Sequence, residues 1–283
     1  MDTFNETVTL KSGTVMPKLA LGTYNIDKTN AKTVILEALK LGYRHLETAP
    51  IYLNEEAIGE AIRQSGIDRD ALFITSKVPP HIKTYEGTLR VVKRTMDKLG
   101  VDRLDLLLIN NPVPWGEEGK DYSKENQAVW RAMEALYEEE RVGAIGVSNF
   151  TEKDIEALKG PDRITPHVNQ VGIFAGHTLD ALRAYCKQQG IMVQGHSPLA
   201  RGRILRTDWI HSLAEKEGRS PANLALRFVY ELGVFPVVKA SRKDHMKDNL
   251  MINRPLSTET FQTMKALEKD VRDYKPPKAK SIL

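Results

Sequence analysis

One regularity constrains this chain more than any other: short β-like runs and longer helical stretches take turns along almost its whole length. The strand candidates are Lys18–Leu21, Arg44–Thr48, Leu72–Lys77, Leu104–Asn110, Ala144–Ser148, His167–Val171, Met192–Gly195 and Phe235–Lys239. Between them apolar residues recur at a spacing of three to four. Ala31, Val34, Ile35, Ala38 and Leu39 form one such set, and Val91, Val92, Thr95, Met96 and Leu99 another. That is the period of a helix buried on one face. Gly42, Gly100, Gly143, Gly190 and Gly233 follow the helical segments, where a left-handed residue commonly ends a helix. A repeated β-then-α order predicts a parallel sheet. Eight units of ~30 residues each in a chain of 283 favour a closed (β/α)8 TIM barrel over an open sheet. Ahead of the first unit, Val8–Leu10 and Thr14–Met16 flank a Lys11-Ser12-Gly13 turn, which reads as a β-hairpin capping the bottom of the barrel. No linker or low-complexity tract divides the chain, so residues 1–283 are expected to form one domain.

Composition narrows the function classes. At 41 % hydrophobic and 28 % charged residues, the chain has ordinary core-forming material. Its net charge of +4 is spread along the sequence and not gathered in a basic run. That pattern suits a small-molecule substrate and argues against nucleic acid. Cys186 is the single cysteine, so neither a disulfide framework nor a metal centre is expected. It falls on an amphipathic helix as a small buried residue, and a reducing, cytoplasmic location follows. Met1 to Glu6 lack the basic and apolar regions of a signal peptide. No apolar run approaches the ~18 residues of a membrane span, and a monomer is the default.

Barrel enzymes build their sites from the C-terminal ends of the strands. In order those ends supply Thr23 and Tyr24, Glu47, Lys77, Asn110, Ser148 and Asn149, Gln170, His196 and Ser197, and Lys239. This is a polar set for strand ends. Tyr52 lies five residues beyond Glu47. A lysine, a tyrosine and a carboxylate converging on one pocket make a proton-donor site: Lys77 is expected to stabilise tyrosinate and lower the Tyr52 pKa from about 10, Glu47 anchors Lys77, and Tyr52 acts as general acid. Residues 111–126 form the one long irregular loop. Its Trp115 is either a wall of the substrate pocket or loop packing. His45, His81, His167 and His177 are read as structural or surface residues.

These blocks resemble the aldo-keto reductase family. The resemblance rests on Gly42-Tyr43-Arg44-His45-Leu46-Glu47-Thr48-Ala49 with Tyr52 and Asn54-Glu55-Glu56, on Ile74-Thr75-Ser76-Lys77, and on Leu104 to Ile109. Ile145 to Phe150, Val168-Asn169-Gln170, Ser197-Pro198-Leu199, and Lys239 with Asn249 extend it. The matches run in order from about residue 7 to residue 256. The resemblance implies an NADPH-dependent carbonyl reductase with Tyr52 as acid and Lys77 as its partner. It implies that Ser148, Asn149 and Gln170 bind the nicotinamide carboxamide, and that Thr23 and Tyr24 touch the cofactor. Ser197, Leu199 and Arg201 fall near the pyrophosphate. Lys239, Ser241, Arg242, His245 and Asn249 fall on the segment for the adenosine 2′-phosphate and adenine.

The chain also departs from the family pattern. Glu47 stands in place of an aspartate, and is expected either to pair with Lys77 or to act as an acid or base itself. Asn110 replaces the histidine that orients the carbonyl oxygen; its amide can donate but cannot titrate. His196 replaces the aromatic residue that stacks on the nicotinamide, and adds a titratable ring as a further catalytic candidate. His245 replaces an arginine, and Val78-Pro79-Pro80 stands where a tryptophan often lines the pocket. Three alternatives stay open at this level: reduction of a C=C or C=N bond, cofactor binding without turnover, and lyase or isomerase chemistry. The short C-terminal tail, Tyr274 to Leu283, suggests an open pocket.

Overall fold

The computed structural model describes residues 4–267; the C-terminal tail on which the open-pocket expectation rests lies outside them. Two short strands, β1 (Thr7–Thr9) and β2 (Val15–Pro17), pair antiparallel with Val8 opposite Met16. Eight parallel strands then close a barrel: β3 (Ala20–Gly22), β4 (His45–Glu47), β5 (Phe73–Val78), β6 (Leu106–Ile109), β7 (Ile145–Ser148), β8 (Val168–Gly172), β9 (Met192–His196) and β10 (Phe235–Val238). Closure comes from β10, which pairs with β9 on one side and β3 on the other. Helices α1 (Lys28–Lys40), α2 (Glu55–Ser65), α3 (Tyr85–Leu99), α4 (Ser123–Glu138), α5 (Glu152–Glu156) and α6 (Asp180–Gln189) fill the successive crossovers. Helices α7 (Asp208–Glu217) and α8 (Pro221–Glu231) share the last one, and α9 (Lys243–Asn249) and α10 (Thr258–Ala266) follow β10. The eight strand candidates of the sequence and the hairpin are all present. The long loop is shorter than expected, because α4 already starts at Ser123.

Helix ends follow local chemistry. Thr84 caps α3 by accepting from Gly87 N, Ser220 caps α8 with Pro221 behind it, and Thr151 and Asp154 form a capping box on α5. Gly143 differs from the other four glycines that follow helices: it is absent from the left-handed residues, and Glu140 (φ 58) takes the left-handed turn after α4 instead. What Gly143 supplies is room. A Cβ there would lie 3.2 Å from Asp105 O and 3.3 Å from Thr14 Oγ1, while its carbonyl accepts from that hydroxyl.

Alternation along the strands sorts the barrel interior into layers. At the bottom Phe73, Leu106, Ala144, Val168 and Phe235 meet Leu10 and Met16 of the hairpin, which plugs that end. Midway, His45 Nδ1 donates to Pro17 O and its Nε2 accepts from Thr75 Oγ1. Burial holds this ring neutral, with its pKa down to about 4. A column of amides rises from the plug: Gln194 Nε2 contacts Met16 Sδ, and Gln170 Nε2 donates to Gln194 Oε1. Cys186 is buried on α6, its thiol pushed up to about 11 by burial. Among the described residues no helix is long and apolar enough to cross a membrane. The same residues hold no cluster of three or more potential metal ligands.

Candidate active site

Polarity increases toward the C-terminal ends of the strands, and three side chains there form one buried centre. Glu47 ends β4 and Lys77 lies near the end of β5; both point inward, and their ion pair is only 3 % and 5 % exposed. Tyr52 closes a single 3-10 turn, Pro50–Tyr52, begun by a proline at its first position. The Tyr52 hydroxyl accepts from Lys77 Nζ at 3.0 Å and donates to Glu47 Oε1 at 3.3 Å. One glutamate oxygen therefore serves both the ammonium and the phenol.

This geometry corrects the expectation for Tyr52. Burial raises the phenol pKa above its ordinary value and the Glu47 charge raises it further; the Lys77 ammonium pulls downward without prevailing. Tyr52 thus keeps its proton at neutral pH, which is the state a general acid must start from. Burial acts against the Lys77 ammonium, yet the Glu47 charge, with the hydrogen bonds to Glu47 and Tyr52, holds its pKa above the usual lysine value.

A second group joins the ends of β6 to β9. Asn149 (φ 62) donates from Nδ2 to Asn110 O and to Ser148 Oγ, and Ser148 Oγ donates to Gln170 O. With its Nδ2 donating, Asn149 presents Oδ1 as an acceptor, so His196 donates to it from Nε2 at 2.8 Å. His196 Nδ1 is left to accept from Ser197 Oγ at 3.2 Å. Burial first, then the Lys77 and Arg201 charges, push the His196 pKa down to about 3. The ring is neutral and both nitrogens are engaged. The Asn110 side-chain amide makes no hydrogen bond among the described residues, and Asn110 is 7 % exposed. Gln170 Oε1 is buried without a partner.

The remaining candidates surround this mouth. Thr23 is buried with an unpartnered hydroxyl. Tyr24 is 52 % exposed; it meets Tyr52 edge-on at 5.2 Å and lies under the Arg201 guanidinium at 6.0 Å. Leu199 is partly buried against the core. Lys239 donates to Ser241, Arg242 pairs with Asp244, and His245 is exposed on α9. Asn249 stands apart from these: it is buried, on the helix whose Met246 carbonyl accepts from the Tyr43 hydroxyl. Trp115 is 42 % exposed on its loop. One organising residue was not singled out from sequence. Asn54 donates to Thr23 O and Ile26 O and accepts from Thr48 Oγ1, tying the loops after β3 and β4 together. Its place before Glu55-Glu56 reads as a helix cap, yet its side chain caps nothing.

Fold and mouth define a class, the (β/α)8-barrel enzyme with a buried tyrosine–lysine–carboxylate centre. The model of the Aldo/keto reductase family matches residues 18–269, and the chain belongs to that family. It is 39 % identical over 269 residues to the glyoxal reductase of Bacillus subtilis, covering 94 % of each chain. It is 34 % identical over 244 residues to a 2,5-diketo-D-gluconic acid reductase B of Corynebacterium, covering 86 % of each. The structure resembles an aldo/keto reductase from Brucella melitensis with a TM-score of 0.86 and 36 % identity, over 93 % of this chain and 99 % of that one. The protein is an oxidoreductase acting on the carbonyl/CH–OH pair, in a family that generally uses nicotinamide cofactors.

Proposed function

We propose that the protein reduces an aldehyde or ketone group of a small molecule with NADPH, using Tyr52 as general acid. The observation that carries this reading is the buried contact set of Tyr52, Lys77 and Glu47 beside the unpartnered Asn110 amide. Gln170 Oε1, buried without a donor, fits the N–H of a nicotinamide carboxamide, and Ser148 and Asn149 lie at the neighbouring strand end, bonded to the Gln170 carbonyl and to each other. Thr23, Tyr24 and His196 would flank the ring, with Ser197, Leu199 and Arg201 toward the pyrophosphate. Lys239, Ser241, Arg242, His245 and Asn249 belong to the segment for the adenosine end, where fixed cations favour a 2′-phosphate. The Arg242–Asp244 pair is exposed and weak enough to yield to such a dianion.

When bound there, NADPH would supply the hydride for the carbonyl carbon. Asn110 donates to the carbonyl oxygen and fixes its direction. Tyr52 gives that oxygen its proton, and Lys77 then donates to the phenolate left behind. Glu47 keeps Lys77 charged and keeps Tyr52 protonated between turnovers. A monomer in the cytoplasm completes the proposal, with gel filtration testing the first part. The decisive measurement is loss of NADPH absorbance with a panel of small aldehydes, α-dicarbonyls and keto-sugar acids. Tyr52→Phe is expected to lower the rate ~10²–10⁴-fold. Full activity of that variant, or no turnover with any carbonyl, overturns the reading.

A further inference from the structure

The longest irregular segment among the described residues runs from Asn110 to Tyr122, between β6 and α4. It starts on the residue assigned to the substrate oxygen and carries Trp115. Its root is held by a side chain from a different crossover. Lys83, half-buried between β5 and α3, donates from Nζ to Asn111 O at 3.1 Å, to Pro112 O at 3.0 Å and to Asn126 Oδ1 at 2.7 Å. Asn126, buried on the first turn of α4, returns a bond from Nδ2 to Pro112 O at 2.9 Å. Asn111 Nδ2 bonds ahead to Val113 O at 2.7 Å. An ammonium has three N–H donors, and all three here meet neutral oxygens. No carboxylate lies within ion-pair distance of Lys83 among the described residues. The aromatic ring of Tyr122, at the far end of the same loop, lies 5.7 Å from the ammonium. One cation therefore touches both ends of the loop and the helix that follows it.

We propose that Lys83 is a positioning residue of the active site: by binding Asn111, Pro112 and Asn126 together it fixes the root of the loop after β6, and so sets the aim of the Asn110 amide and the place of Trp115. The proposal rests on the reading of Asn110 as the donor to the substrate oxygen. It differs from generic loop packing in one respect. The knot needs three donors, and the neutral amine has two. Burial lowers the Lys83 pKa to about 8, while the charges of Glu125 on α4 and Asp154 on α5 pull it upward. Above that pH the folded chain holds fewer protons than the unfolded one, so overall stability does not fall on this account. What is lost is one hydrogen bond at the loop root, next to Asn110.

The test compares the full-length wild type with Lys83→Met and Asn126→Asp. In steady-state NADPH assays, the wild type is expected to lose kcat/KM as pH rises through about 8. Lys83→Met is expected to be about tenfold slower at neutral pH, since a small misplacement of a positioned group is costly, and to lack that alkaline limb. Asn126→Asp places a carboxylate on the ammonium and is expected to move the limb upward. Hydrogen exchange of residues 111–122, corrected for the intrinsic rate, gives a readout that needs no turnover. Faster exchange there in Lys83→Met, with the barrel strands unchanged, supports the clamp. An alkaline limb that stays in place in both variants, or unchanged exchange in 111–122, overturns it. An enzyme without carbonyl reductase activity would fail the proposed function alone, because the exchange measurement still decides the clamp.

Discussion

Glu47 contacts both Lys77 and Tyr52 through one carboxylate oxygen. Removing only its charge leaves a buried ammonium without a counterion, so Glu47→Gln should destabilise the fold by about 3–5 kcal/mol. Lys77→Met added to it should restore most of that loss, as read by urea unfolding of the two variants. Asn110 has a different sensitivity. Its side chain makes no hydrogen bond among the described residues, so Asn110→Ala should leave unfolding nearly unchanged while lowering kcat about 10²–10³-fold, the usual cost of one oxyanion donor. Coupled loss of stability and rate would show that Asn110 is structural.

The elements were readable because their burial is periodic. β5 and β6 are buried along their whole length, and a strand between barrel and helices must be apolar on both faces. The same alternation placed Glu47, Lys77 and His196 at strand ends. What periodicity does not reveal is reach and rotamer. That Glu47 touches Tyr52, that Asn54 ties two loops, and that Lys83 holds a loop root from another crossover all depend on side-chain directions set by the closed barrel. The net upward shift of Tyr52 was equally hidden, since it depends on how deeply the phenol is buried. Gly146 offers a test of closure at this scale. A Cβ there would lie 2.4 Å from Val168 O on β8 and 2.8 Å from Leu108 Cδ2 on β6. The first neighbour is backbone and cannot swing away. Gly146→Ala should therefore cost at least ~1–3 kcal/mol by overpacking, visible as a lowered midpoint in thermal unfolding, whereas Gly202→Ala meets no atom within 4 Å and strains only its own turn.

For the whole molecule, pH dependence follows from rings kept neutral by burial. His45 and His167 are pushed to about 4 and His196 to about 3, against an ordinary value of 6.5. Below pH 6.5 the unfolded chain binds protons on these rings that the folded chain refuses. Stability is therefore complete above that pH and is lost as pH falls toward 4. Calorimetry should show the unfolding temperature dropping across this window, and His45→Gln should flatten part of the slope; a temperature constant from pH 7 to 4.5 would contradict the burial of these rings.

The hairpin plug has a consequence for biosynthesis. Thr14 bonds to a carbonyl 129 residues further along, Lys11 to one 178 residues on, and Met16 receives Gln194 across the same 178. The barrel closes only when β10 meets β3. Made at ~5–20 residues per second, the hairpin and β3 are complete on the order of 10 s before these distant contacts can form. Leu10 and Met16, sealed inside the finished molecule, spend that interval as exposed apolar surface on the nascent chain, so residues made well before β10 are among the last to be buried.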